Sequence, residues 1–218
     1  RDTYINNINL PFLKFNGYTL LEHKVLTCLQ ANSLSCIAVT SSDKRILNLC
    51  SEKFSSNNRV VVIERSKELE GPDKTLAKTI ENALSFLRAR GSSFQAVMSV
   101  AIEYPFITFD TIDEIINTLV LFKADSVLSV RSSRRAFYRY TGHGLKSILE
   151  RDQFIQLERE SLYEGSGGIV LSTVGNFIEN NKLASGRISH VLIDAKSSFG
   201  IFNHFDLEVI TKLTSDSH

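Results

Sequence analysis

Glu103 is the acidic side chain best placed to do chemistry in this sequence. It stands in VAIEYPFI (Val100–Ile107), just past an apolar run that reads as a β-strand. Sheets flanked by helices bind their ligands beyond the carboxyl ends of their strands. A solvated loop acid is the alternative reading of the same residue. Asp43 follows another such run, and Asp206 lies in the tail SSFGIFNHFDLEVI (Ser197–Ile210). Both read first as helix caps, because a short carboxylate can accept from the free N–H groups of a first helical turn. A nucleotide contact is the second reading of Asp43. The five histidines, His143 and His204 among them, lack metal-ligand spacing such as H-x-x-x-H. The three cysteines, Cys28, Cys36 and Cys50, form no C-x-x-C pair, and no Ser–His or Cys–His nucleophile pair can be argued. No D-x-D carboxylate pair occurs, which ranks a metal-dependent glycosyltransferase low.

The elements that must position these residues alternate between two periods. Ser35–Thr40, Arg59–Ile63, Gln95–Val100 and Ser126–Val130 are short apolar runs suited to strands covered on both faces. Between them, Leu20–Ala31, Asp43–Phe54, Lys74–Arg90 and Thr111–Lys123 repeat apolar residues at helical spacing, the last with Asp110 as the expected N-cap. The alternation predicts an α/β domain with a mostly parallel sheet and flanking helices. From Arg134 to Tyr163 the period is lost, and the stretch reads as an inserted hairpin or protruding arm. Gly167–Leu171 and His190–Ile193 read as further strands, Val174–Asn181 and Phe205–Lys212 as helices.

Composition narrows the function classes. The 218 residues suffice for one substantial core, so one domain spanning 1–218 is expected. Twenty-five basic and 24 acidic residues nearly cancel and form no long block of one sign, which gives no support to a nucleic-acid or membrane-surface partner. No apolar run approaches the ~20 residues of a membrane helix. An odd number of scattered cysteines, with no secretory leader, suggests a reduced, cytoplasmic protein.

Several of these landmarks fall in the order and spacing of the CMP-acid-sugar synthetases, the cytidylyltransferases that activate sialic acid and its relatives. Asn16-Gly17 and Leu20-Leu21 resemble the end of that family's opening loop, R-G-G-S-K-G-I-P-x-K-N-I-x-x-L-N-G-K-P-L-I. Ile37–Asp43 resembles its V-S-T-D strand end, Val100–Ile107 its V-Q-G-D-E-P-L-I segment, and Ala124–Val130 its A-D-S-V-V-S-V. Arg151-Asp152-Gln153 resembles R-R-Q, Leu162–Leu171 resembles V-Y-R-E-N-G-A-I-Y-V, and the tail resembles S-I-D-I-D-T-x-x-D-L. The resemblance covers nearly the whole chain.

It implies a nucleotide-diphospho-sugar transferase-like fold and a homodimer whose arm is roughly Arg131–Glu164. The implied substrates are CTP and an acidic sugar such as a sialic acid, with Mg²⁺ as cofactor if the protein is active. By the same resemblance Arg1 and Glu103 are the catalytic candidates, and Arg1, Ser42 and Asp43 the nucleotide contacts. Arg139, Arg151, Gln153 and Ser166 are the sugar contacts. An arginine can grip a sugar carboxylate with two parallel hydrogen bonds, although an arm arginine can equally be a rim residue.

The chain departs from the family where charge is neutralised. Asp2, Thr3 and Asn6 stand at loop glycines and Ile5 at the loop lysine, while Gly200 and Phe202 stand at the two metal-binding aspartates. Removal of one comparable electrostatic group costs an enzyme on the order of 10²–10³ in rate. No metal-ligating residue is therefore assigned, and impaired catalysis is expected. The alternative is a non-catalytic nucleotide-sugar-binding or assembly domain of a larger protein. The family's first strand precedes the position of Arg1, so the expectation is either that residues before Arg1 are omitted here or that a sheet position is empty or filled differently.

Overall fold

The computed structural model describes residues 4–5, 8–66, 75–133, 137–148 and 162–215. The chain opens with two small antiparallel ladders: β1 (Tyr4–Ile5) pairs with β2 (Ile8–Asn9), and β3 (Lys14–Phe15) with β4 (Tyr18–Thr19). Asn16 and Gly17, both at positive φ, make the turn of the second ladder, as their pairing demands of a two-residue hairpin loop. Thr19 then caps α1 (Leu20–Gln30) through a reciprocal box with Glu22.

An alternating stretch follows: β5 (Ile37–Ser41), α2 (Lys44–Phe54), β6 (Val60–Glu64), α3 (Leu76–Ala89), β7 (Ala96–Val100), α4 (Phe109–Leu121) and β8 (Ser126–Ser133). The expected inserted hairpin is present as β9 (Tyr138–Tyr140) against β10 (Leu145–Ser147), exposed throughout. The chain returns through β11 (Leu162–Thr173), α5 (Val174–Asn180), β12 (Ile188–Leu192) and α6 (His204–Ser215). Among the described residues no helix is long and apolar enough to cross a membrane.

The α/β architecture with flanking helices is the one expected, built on a mixed sheet. β5 and β6 form a parallel pair, and a separate sheet runs β12-β8-β11-β7. In that sheet β12 is parallel to β8, while β11 is antiparallel to both β8 and β7. β11 follows β8 by way of the hairpin insertion, with no described crossover helix between them, and strands joined by such a return lie antiparallel. A bulge between Gly165 and Val170 interrupts the ladder with β8.

Two caps differ from expectation. Thr108, not Asp110, caps α4, because its hydroxyl reaches the Thr111 N–H while Asp110 already lies in the first turn. At α6 the cap is Asn203, whose Oδ1 accepts from the Asp206 N–H. Asp206 reaches back from the first turn to accept from the amides of Asn203 and Phe202. Asp43 does cap α2, accepting from the Arg45 N–H.

The main core lies between the four-stranded sheet and α1 with α4, where Ile112, Ile115, Val127, Ile169 and Val191 are almost fully buried. Each contributes roughly 1.5–3 kcal/mol by burial. A second cluster joins the chain's two ends: Ile5, Leu10, Phe15 and Leu20 pack against Ile201, Leu207 and Ile210.

Candidate functional site

The carboxyl end of β7 leads into the loop Ala101–Phe106, and three elements converge on it. From α1, Lys24 turns inward and its Nζ donates to the Tyr104 carbonyl at 2.7 Å. Burial pushes this ammonium down to a pKa of about 8, partly countered by Cys28 and Glu103. Beside it, His23 stacks on Phe15 with ring centroids 4.8 Å apart, and its Nε2 lies 3.1 Å from the Pro105 carbonyl. A carbonyl only accepts, so Nε2 carries the proton. Burial, then the Lys24 charge, lowers the pKa of His23.

From β11, Gly167 and Gly168 bring the backbone in at φ 77° and 66°. A side chain on Gly168 would meet the Ala101 Cβ at 2.5 Å and the Tyr104 ring at 2.6 Å, so only glycine allows this approach. Ser166 bridges outward: its Oγ donates to the Ser198 carbonyl at 3.1 Å, and its own carbonyl accepts from Ser129.

From the tail, the Ile201 N–H donates to the Glu103 carbonyl at 2.9 Å, which seats the tail on the strand-end loop. The Tyr104 and Phe202 rings meet edge to face, centroids 5.5 Å apart. Phe202 also crosses over Gly200, where a Cβ would lie 2.4 Å from its ring. An aromatic pair closed over glycine thus occupies the place where the resemblance implies two carboxylates.

The structure brings Glu103 and Ser166 into this region. Ser42 and Asp43 follow β5, where Asp43 spends its carboxylate on the α2 cap and on the Arg45 guanidinium, which holds its pKa below the usual range. Arg139 lies on the exposed β9–β10 hairpin, opposite Lys146. Arg1, Arg151 and Gln153 lie outside the described residues. Ile5, at the family's lysine position, is a core residue only 8% exposed. A groove lined by Val60–Val62, Leu87, Arg90 and Ser92 contains none of the expected site residues.

Lys24, His23 and Tyr104 escaped the sequence reading. A signal for Lys24 was present: helical spacing sets it on the same face as Leu20, Leu21 and Cys28, all buried.

Magnesium requires oxygen ligands, usually one or two carboxylates besides substrate phosphates. Gly200 and Phe202 offer none, and both donors on Asp206 are backbone amides that hold its carboxylate at the helix start. Among the described residues no three His, Cys, Asp or Glu side chains gather as a metal cluster. The tail therefore does not fit a magnesium ion.

No family model and no curated protein matches the chain. Solved structures do match along nearly its full length. The 4-diphosphocytidyl-2C-methyl-D-erythritol synthase of Anaerococcus prevotii DSM 20548 aligns with a TM-score of 0.69 at 13% identity, over 94% of this chain and 93% of that one. A CMP:2-keto-3-deoxy-manno-octonic acid synthetase complexed with CTP aligns with a TM-score of 0.66 at 8% identity, over 99% and 95%. Another 4-diphosphocytidyl-2C-methyl-D-erythritol synthase aligns at 0.67 and 12% identity, over 93% and 92%. At such identities the likeness establishes the fold alone: this chain is folded as these three structures are.

Proposed function

We propose that the protein is a cytidylyltransferase-type domain that takes CTP and an acidic sugar such as a sialic acid, acts as a homodimer, and is impaired in CMP transfer. The observation that carries this reading is the Tyr104–Phe202 pair closed over Gly200 at the strand-end loop. The surrounding frame is that of proteins described as synthesising cytidine-activated sugars or polyols. The charge-neutralising groups of the transfer step are replaced by apolar ones, Ile5 at one end of the chain and Phe202 at the other. Transfer from CTP puts negative charge on the departing pyrophosphate, and fixed positive groups or a metal must meet it.

A second reading, a non-catalytic nucleotide-sugar-binding or assembly domain of a larger protein, is favoured by Asp206. Its carboxylate, the acid kept in the tail, is held by main-chain amides at a helix start.

Calorimetric titration with CTP, with and without Mg²⁺, separates the two, followed by pyrophosphate release across a set of acidic sugars. The first reading expects CTP binding that gains little from Mg²⁺ and at most slow pyrophosphate release. Tight Mg²⁺-dependent binding with rapid turnover would overturn the impairment. Absence of CTP binding under every condition would leave the assembly reading.

A further inference from the structure

β6 is bonded along one edge and open along the other. In a strand, the N–H and C=O of one residue point to the same neighbour, and successive residues alternate. The Arg59 carbonyl accepts from Ile37 and the Arg65 N–H donates to Ser41, so the odd-numbered residues of β6 serve β5. The main-chain groups of Val60, Val62 and Glu64 therefore point away from β5. Of these, the Val60 N–H turns back to the Asn57 carbonyl at 3.1 Å. The N–H groups of Val62 and Glu64, and the carbonyls of all three residues, enter no ladder among the described residues. Folded chains usually blunt such an edge with Pro, Lys or a bulge. β6 reads VVVIE and pairs with β5 in unbroken register, so its one charge is the terminal Glu64.

The open edge is one wall of the groove lined by Val60–Val62, Leu87, Arg90 and Ser92. The opposite wall is the end of α3, where Arg90 is the C-cap. Arg90 is exposed, and its guanidinium lies over the Phe86 ring, 5.1 Å from the centroid. Among the described residues it makes no ion pair. The amides of Arg90, Gly91 and Ser92 all bond back to the carbonyls of Leu87 and Arg88. No set of free N–H groups therefore stands beside the guanidinium to capture a chain-terminal carboxylate.

We infer that this groove docks an extended segment of a partner protein, about five residues long, which adds to the edge of β6 as a further strand and presents an Asp or Glu side chain to Arg90. The open main-chain groups select an extended backbone. The valines and Leu87 select apolar side chains, and the guanidinium selects a carboxylate. Residues two apart share one face of a strand, so the acid and the apolar residue that meets Leu87 stand two apart in the segment. A second copy of β6 is the poorer occupant. Antiparallel pairing about Val62 would set Arg65 opposite Arg59 at the Arg90 end, and like charges facing one another destabilise a strand pair. The inference holds whether or not the β7 loop takes CTP.

The test is titration of the whole chain, followed by amide NMR, with the blocked peptide acetyl-Thr-Val-Leu-Val-Asp-Thr-amide and with the same residues in reverse order, which covers both strand directions. One of the two should shift the Val62 and Glu64 amide signals and, at saturation, slow their hydrogen exchange at least about tenfold. Arg90→Glu should weaken that binding at least about tenfold, and a peptide with Lys in place of Asp should bind the Arg90→Glu variant better than it binds the native chain. The internal standards are Val61 and Ile63, whose amides already serve β5. No response at Val62 and Glu64 to either peptide would overturn the inference, as would binding that Arg90→Glu leaves unchanged. So would Val62 and Glu64 amides that exchange as slowly as the standards before any peptide is added, because another segment of this chain or a second copy would then hold the edge.

Discussion

β7 reads AVMSV and β8 opens with SVLSV, two pentapeptides that differ at two positions, yet they live in different surroundings. In β8, Ser126, Val127, Ser129 and Val130 are buried, and the strand is bonded to β12 on one side and β11 on the other. In β7 all five residues are partly exposed, and among the described strands only β11 is bonded to it. The pattern of apolar residues says that each strand is fit for an interior. Pairing partners then decide whether it reaches one.

The strand between them supplies the sharpest contrast. Gly168→Ala places a side chain at positive φ against the Ala101 Cβ, and should cost about 3 kcal/mol or more in urea unfolding. Gly165→Ala, on the same strand with nothing within 4 Å, should cost less than about 1 kcal/mol. Equal costs would mean that β11 does not press on the β7 loop.

Truncation of equivalent valines comes next. Val127→Ala, in a fully buried position, should lose about 2 kcal/mol. Val97→Ala should lose about 1 kcal/mol or less, because the side chain is already partly in water. Thermal or chemical denaturation of both variants gives the ratio. A Val97→Ala loss as large as that of Val127→Ala would remove the distinction between the strands.

Much of the fold was legible because local rules and tertiary structure agree. The helix and strand runs fall within a few residues of their expected places, and Asp43 caps α2 as a short carboxylate before a helix should. Where two neighbouring residues could do one job, the sequence did not choose between them. Thr108 took the cap of α4 from Asp110, and Asn203 that of α6 from Asp206. Strand order and direction were not legible, since SVLSV and AVMSV carry the same signal. Of the candidate site, Ile5, Gly200, Phe202 and Glu103 were legible as positions through the resemblance. Its additions were not: Lys24 reads as one more charged residue until its neighbours on the helix are seen to be buried.

A smaller effect tests whether the β7 loop is held as firmly as the core. Lys24 joins α1 to the Tyr104 carbonyl, and its pKa of about 8 lies below the ~10.4 of a free lysine. Between those values the unfolded chain binds more protons than the folded one, so this group makes stability rise with pH. Cys28 opposes it at higher pH: burial raises that thiol to about 11, so above roughly pH 9 the unfolded chain loses a proton that the folded chain keeps. The window from pH 7 to pH 9 therefore isolates the lysine. Across it the stability of the native protein relative to Lys24→Met should rise by about 1 kcal/mol, read from urea midpoints at the two pH values. His23 titrates below this window, with a pKa already lowered by burial. A difference that stays flat from pH 7 to pH 9 would mean that the ammonium reaches water in solution and that α1 does not clamp the loop as tightly as the 2.7 Å hydrogen bond implies.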